Sequence, residues 1–169
     1  IFDAYTPGPI DCESPEYRGR IGINRSFLVH TYYPIYANFF HQLGLDPILP
    51  DKPAQTGIDQ RNAPFCFPVE LSHGFLHQLI NDRGPLDYLF LPHVKSVPNL
   101  DGAKSSQLCP LAQAEPFYLR AAFRNQLKSL EAGRTRIFSP TIQLREGMEH
   151  GRRPLLEMAV EIGVSRKKA

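Results

Sequence analysis

Short apolar runs alternate along the chain with longer stretches in which apolar residues recur every three or four positions. A short apolar run between turn-forming residues is typical of a β-strand, and the longer spacing is typical of a helix with one buried face. The runs predict strands at 20–24, 46–50, 87–92 and 135–139, and the longer stretches predict helices at 31–44, 69–80, 111–130 and 154–162. Residues 51–64 are predicted to form a polar loop, and the third helix is expected to break or kink at Pro116.

The repeated alternation of strand and helix predicts parallel strands joined by right-handed crossovers. The run at 87–92 is apolar almost throughout, which suits a strand buried on both faces. The expected fold class is therefore α/β, with an open, mainly parallel, Rossmann-like sheet and helices on both faces.

Residues 1–19 contain several prolines and acidic side chains and show no apolar periodicity, so they are predicted to be an N-terminal arm or linker. Residues 20–169 are predicted to form a single α/β domain. Because the chain opens with Ile1 rather than methionine, we expect it to be excised from a longer polypeptide that shares its function.

The composition narrows the class of protein. Hydrophobic residues make up 42% and charged residues 21% of the chain, which is typical of a folded domain. The sequence contains neither a membrane-spanning stretch nor a secretory leader, so no membrane partner is expected. Three cysteines are too few for a disulfide framework and indicate the reduced thiols of a cytoplasmic protein.

Basic residues are concentrated in the last third of the chain. Residues 1–117 carry 8 Lys and Arg against 12 Asp and Glu, whereas residues 118–169 carry 11 against 5. The basic part suits an acidic ligand such as a CoA phosphate, but its charges are scattered among acids and match no nucleic-acid module, so no nucleic-acid partner is expected. Glycine-rich nucleotide-binding loops and the serine-hydrolase motif are missing as well.

Two cysteines stand just before prolines that open predicted helices. Cys66 precedes Pro68 by two residues, and Cys109 directly precedes Pro110. The positive end of a helix dipole favours the thiolate, which is the form that binds metals. If both helices start at the ligand-binding edge of the sheet, the two thiols converge on one site. The alternative is that each cysteine is a small apolar residue beside a helix start.

Other candidate residues carry weaker signals. His73 and His77 lie four residues apart and share a helix face, so they form with Cys66 and Cys109 an alternative zinc site. Arg25 follows the first strand and His93 follows the third, so both are predicted to contact a cofactor, although a plain surface role suits Arg25 as well. Cys12 is interpreted as an incidental exposed thiol.

Several of these motifs occur together, and in the same order, in a known family. They are the run Arg20 to Arg25, the aromatic helix closed by Leu43-Gly44-Leu45, the run Cys66 to Gly74, the strand Asp87 to Pro92, and Cys109-Pro110. Over residues 18–165 the chain resembles the domain of unknown function in proteins related to the activators of (R)-2-hydroxyglutaryl-CoA dehydratase. It is similar, more distantly, to the 2-hydroxyacyl-CoA dehydratase subunits, which hold a [4Fe–4S] cluster through cysteines.

The resemblance implies a module of an ATP-driven electron-transfer system that serves acyl-CoA dehydration in anaerobic metabolism. It implies that Cys66 and Cys109 ligate the iron of a [4Fe–4S] cluster, and that the partners are other domains of the parent chain and an acyl-CoA dehydratase. The ATP-binding module is not in these residues, and we do not expect the chain to catalyse a reaction alone. One alternative is a scaffold domain that has lost the cluster, since Asn24-Arg25-Ser26 stands where the dehydratase subunits offer a third cysteine. The other is a zinc-binding structural domain.

Overall fold

A computed structural model describes residues 1–63, 66–99 and 106–165. The chain forms two compact units, each built from two chain segments. The first unit comprises Ile1–Phe90 and Leu119–Ile137, and the second comprises Leu91–Tyr118 and Phe138–Ala169.

The strands are β1 Gly19–Ile23, β2 Leu45–Ile48, β3 Tyr88–Phe90, β4 His93–Ser96, β5 Arg136–Phe138 and β6 Thr141–Gln143. The helices are α1 Phe2–Tyr5, α2 Val29–Gln42, α3 Gln55–Ile58, α4 Phe67–Asp82, α5 Pro110–Gln113, α6 Glu115–Ala122, α7 Arg124–Ala132 and α8 Arg152–Glu161, with a 3₁₀ helix at Met148–Gly151. Among the described residues, no helix is long and apolar enough to cross a membrane.

The main sheet has the strand order β2-β1-β3-β5, and β1 pairs in parallel with both β2 and β3. The sheet is open, and the predicted α/β class is confirmed. All four predicted strands are present, each within one or two residues of its predicted start. The predicted run at 87–92 was too long, because β3 ends at Phe90 and the chain continues into β4.

Helices cover both faces of this sheet, as predicted. Ile23 and Phe90 are register neighbours on β1 and β3, and the Phe90 ring lies 5.1 Å from that of Tyr36 on α2, centre to centre. Gly22 points to the opposite face, where a Cβ atom would lie 3.2 Å from Leu79 of α4. The core between the layers is strongly apolar, with Ile21, Ile23, Leu89 and Phe90 fully buried.

The predicted third helix, at 111–130, is three helices in the structure. Its breaks fall at Ala114 and Phe123, so the prediction of a break at Pro116 was wrong. Pro116 lies in the first turn of α6, where its missing N–H has no helical partner to lose. At Phe123 the backbone leaves helical geometry, with φ −104° and ψ 26°, and the side chain is fully buried.

Five short elements of the described residues lie outside the predicted set, one of them the 3₁₀ helix at Met148–Gly151. α1 forms within the predicted arm, and α3 forms within the predicted loop 51–64, whose last residue lies outside the described ranges. β4 and β6 pair in parallel as a two-stranded sheet of the second unit. None of these elements exceeds four residues, which is too short for periodicity to indicate its type.

Candidate functional site

Cys66 is the N-cap residue of α4 and its side chain is exposed. Its backbone is extended, with φ −68° and ψ 152°, and its carbonyl accepts the Val69 N–H at 2.9 Å. Pro68 stands in the first turn and gives this helix a sharp start. The thiol makes no capping hydrogen bond and stands at the beginning of a helix of 16 residues.

Cys109 has the corresponding place at the start of α5. It is the N-cap residue, with φ −51° and ψ 136°, and its carbonyl accepts the Gln113 N–H at 3.1 Å. Its thiol is also exposed and makes no capping hydrogen bond. The prediction that both cysteines stand directly before a helix is therefore confirmed.

Cys66 and the exposed Cys12 belong to the first unit, and Cys109 belongs to the second. Within either unit, no three His, Cys, Asp or Glu side chains of the described residues are grouped as metal ligands would be. The convergence of Cys66 and Cys109 on one site stays a prediction.

The two histidines of α4 have different surroundings. His73 is buried, its Nδ1 lies 2.8 Å from the Val69 carbonyl, and its ring packs beside Phe123. Burial lowers the pKa of His73 below the ordinary histidine value, which keeps the ring neutral. His77 is half-buried, with its ring nitrogens 3.4 Å from the Thr56 hydroxyl. Of the two, only His77 lies within reach of solvent.

Asn24 directly follows β1. Its side chain is buried, and its amide Nδ2 donates to the Ser72 carbonyl at 3.3 Å and to the Ser26 hydroxyl at 3.2 Å. Asn24 thereby ties the end of β1 to α4. The residue at this position therefore holds two elements together.

Arg25 lies one residue further on, at the wall of a pocket of about 390 Å³. Its guanidinium carbon lies 4.2 Å from the centre of the Phe2 ring and 5.9 Å from that of Phe75. Its Nη1 donates to the Asp51 carbonyl at 3.0 Å. The sequence alone does not indicate the contact between Arg25 and Phe2, because α1 shows no periodicity and the two residues lie far apart in the sequence.

His93 begins β4 in the second unit and lies beside α5. Its Nδ1 is 3.2 Å from the Gln113 carbonyl, and its ring lies 4.5 Å from that of Phe117, which is 69% exposed. Gln113 ends the helix that Cys109 begins, so His93 and Cys109 flank the same single-turn helix. The predicted cofactor contacts of Arg25 and His93 stay predictions.

Searches of the curated proteins and of the solved structures found no match. The model of one protein family, described as the CoA enzyme activase uncharacterised domain, matches residues 20–169 and so spans both units. The resemblance noted in the sequence is thereby confirmed, and the chain belongs to the family of the CoA enzyme activase uncharacterised domain.

Proposed function

We propose that this chain is an accessory module of a 2-hydroxyacyl-CoA dehydratase activator-related protein. In this proposal Cys66 and Cys109 are thiolate ligands of a [4Fe–4S] cluster, which serves ATP-driven electron transfer to an acyl-CoA dehydratase. The observation that carries the proposal is the matched placement of the two cysteines, each an exposed N-cap residue before a proline-opened helix. Backbone N–H groups at the start of α4 are favourable neighbours for a metal-bound thiolate.

Cysteine thiolates are the type of ligand that an iron–sulfur cluster needs, but this chain contains too few cysteines to supply all of the ligands. Iron–sulfur clusters are held mainly by cysteine thiolates, usually four of them, and the chain has three cysteines. Neither unit groups three candidate ligands among its described residues. The proposal therefore assigns the remaining ligands to another part of the parent chain or to the dehydratase partner. When bound, the cluster would supply one-electron transfer.

The described cysteines form no disulfide, which suits the reducing cytoplasm proposed for such a protein. The role proposed for the chain is to dock and to relay electrons, with turnover completed by its partners.

The test is the iron, sulfide and zinc content of the parent protein purified without oxygen, together with its electron paramagnetic resonance spectrum. We expect iron and sulfide in equal amounts, and we expect Cys66→Ser or Cys109→Ser to abolish cluster assembly while the protein stays folded. Cys12→Ser is the matched control, because Cys12 is also exposed, and it should keep the cluster. A normal cluster in the Cys66→Ser/Cys109→Ser double variant would contradict the proposal.

A non-catalytic scaffold is the second candidate. It is favoured by the run Asn24-Arg25-Ser26, which the resemblance places where the dehydratase subunits offer a third cysteine. The buried amide of Asn24 binds the Ser72 carbonyl of α4 instead. In that case the parent protein is free of metal when purified without oxygen, and both cysteine variants keep its activity. Zinc without sulfide, lost in a His77→Ala variant, would instead indicate the structural zinc site.

A further inference from the structure

The pocket beside Arg25 is built from two different parts of the chain. One wall consists of Phe2, Asp3 and Thr6, which lie outside the region matched by the family model. The lining also includes the residues that end β2 and follow it, among them Pro47 and Leu49. The volume of about 390 Å³ is that of a small-molecule site.

The segment 1–6 is attached to the family domain by specific contacts. The Phe2 ring packs edge-on against that of Tyr33, with 5.0 Å between the ring centres. The hydroxyls of Thr6 and Tyr33 lie 2.8 Å apart, and Tyr33 is fully buried. The pocket wall formed by this segment is therefore held in place by buried groups of α2.

Arg25 lines this pocket, and only some of its N–H groups are bonded to the part of the protein that the structure describes. The Phe2 ring lies against the guanidinium, and the Asp51 carbonyl takes one N–H of Nη1. The five N–H donors of a guanidinium lie in its plane and match the two oxygens of a carboxylate or phosphate. Among the described residues, no acceptor other than the Asp51 carbonyl is bonded to Arg25, which leaves Nε and Nη2 for a ligand.

The other charged residues that line the pocket do not compete with Arg25 for an anion. Arg83 is bound to the Asp51 carboxylate at 2.7 Å, so these two charges offset each other. Asp3 is exposed, where water screens its charge. Phe2, Pro47 and Leu49 give the rest of the pocket an apolar wall.

We propose that this pocket binds a small organic oxyanion, a carboxylate or a phosphate ester. The oxyanion is held by the in-plane N–H groups of Arg25, and the apolar body of the ligand lies against Phe2 and the residues after β2. The site is independent of the cysteines in the proposed function. It is completed by residues 1–6, so the family domain alone does not form it.

The test is a titration of the 169-residue chain, followed by chemical shifts, with benzoate, phenyl phosphate and benzyl alcohol. We expect benzoate or phenyl phosphate to saturate at a dissociation constant on the order of 1 mM or lower, and benzyl alcohol to bind at least about ten-fold more weakly. The tighter of the two anions identifies the head group.

Two pairs of variants locate the site. Arg25→Gln should weaken binding of the anion at least about ten-fold, whereas Arg124→Gln, at an exposed arginine of α7, should leave it unchanged. Phe2→Ala should weaken it several-fold, whereas Tyr5→Ala, in the same short helix and 56% exposed, should not. Arg25→Lys keeps the charge without the planar donors and should bind more weakly than wild type.

The proposal is overturned if neither anion saturates by about 10 mM, if benzyl alcohol binds as tightly as the anions, or if folded Arg25→Gln and Arg25→Lys both bind like wild type. Unchanged affinity in Phe2→Ala would overturn the part that assigns the wall to residues 1–6.

Discussion

The ring of Phe90 on β3 packs edge-on against that of Phe40 on α2, with 5.0 Å between the ring centres and both side chains fully buried. This contact joins an internal strand of the sheet to the helix that covers one of its faces. The pair therefore lies at the centre of the first unit's core.

Phe90→Ala should lower the free energy of unfolding by about 3–5 kcal/mol, because it removes a buried ring and leaves a cavity. Denaturant titration of the folded chain measures this loss. Ile35→Ala on α2 is the control, since Ile35 is 44% exposed and should cost less than about 1 kcal/mol. A loss below about 1 kcal/mol for Phe90→Ala would show that β3 is not central.

Gly57→Ala should also destabilise the chain, by about 1–3 kcal/mol, because α3 and α4 touch at this glycine. A Cβ atom at position 57 would lie 2.6 Å from the His73 carbonyl oxygen and would overlap the His77 Cβ. Thermal unfolding measures the effect. Gly8→Ala, where a Cβ atom would meet nothing within 4 Å, is the control and should leave the melting temperature unchanged.

The buried His73 should make stability depend on pH. Burial holds its folded-state pKa below the ordinary value of 6.5, so only the unfolded chain takes up a proton as the pH falls below about 6.5. The free energy of unfolding therefore decreases as the pH falls from about 6.5 to the folded-state pKa of His73. Below that pKa, His73 causes no further change.

Denaturant titrations between about pH 7.5 and pH 5.5 check this dependence. His73→Gln should lose less stability over this range than wild type. Equal slopes for His73→Gln and wild type would mean that the His73 ring is protonated inside the fold.

Cys66→Ser should leave the stability of the metal-free chain unchanged or raise it by up to about 1 kcal/mol. Serine is a preferred N-cap residue because its hydroxyl accepts an N–H of the first turn, and Cys66 now makes no such bond. Thermal unfolding of the metal-free protein measures the change, with Cys66→Ala as the matched control that lacks a hydroxyl. A clear destabilisation by Cys66→Ser, with Cys66→Ala neutral, would contradict the N-cap assignment.

The sequence was most informative where a helix is long enough to repeat its pattern. The spacing in α2 and α4 predicted both helices within two residues of each end, and the prolines after Cys66 and Cys109 predicted the helix starts. The contacts of Arg25 could not be predicted from such patterns, because Phe2 and Asp51 come close to Arg25 only in the folded chain. The burial of His73 was equally hidden, since periodicity places it on the same helix face as the half-buried His77.

Each of the two units is assembled from two separate chain segments, and the changes of unit fall at 90/91, 118/119 and 137/138. The second of these lies inside α6 and the third inside β5. No single truncation or proteolytic cut therefore yields one unit alone. A chain that stops at residue 90 lacks part of the first unit, and one that stops at 118 or 137 carries part of the second unit without the rest. Dissection of this domain thus calls for point substitutions in the whole chain, because its halves are not available as fragments.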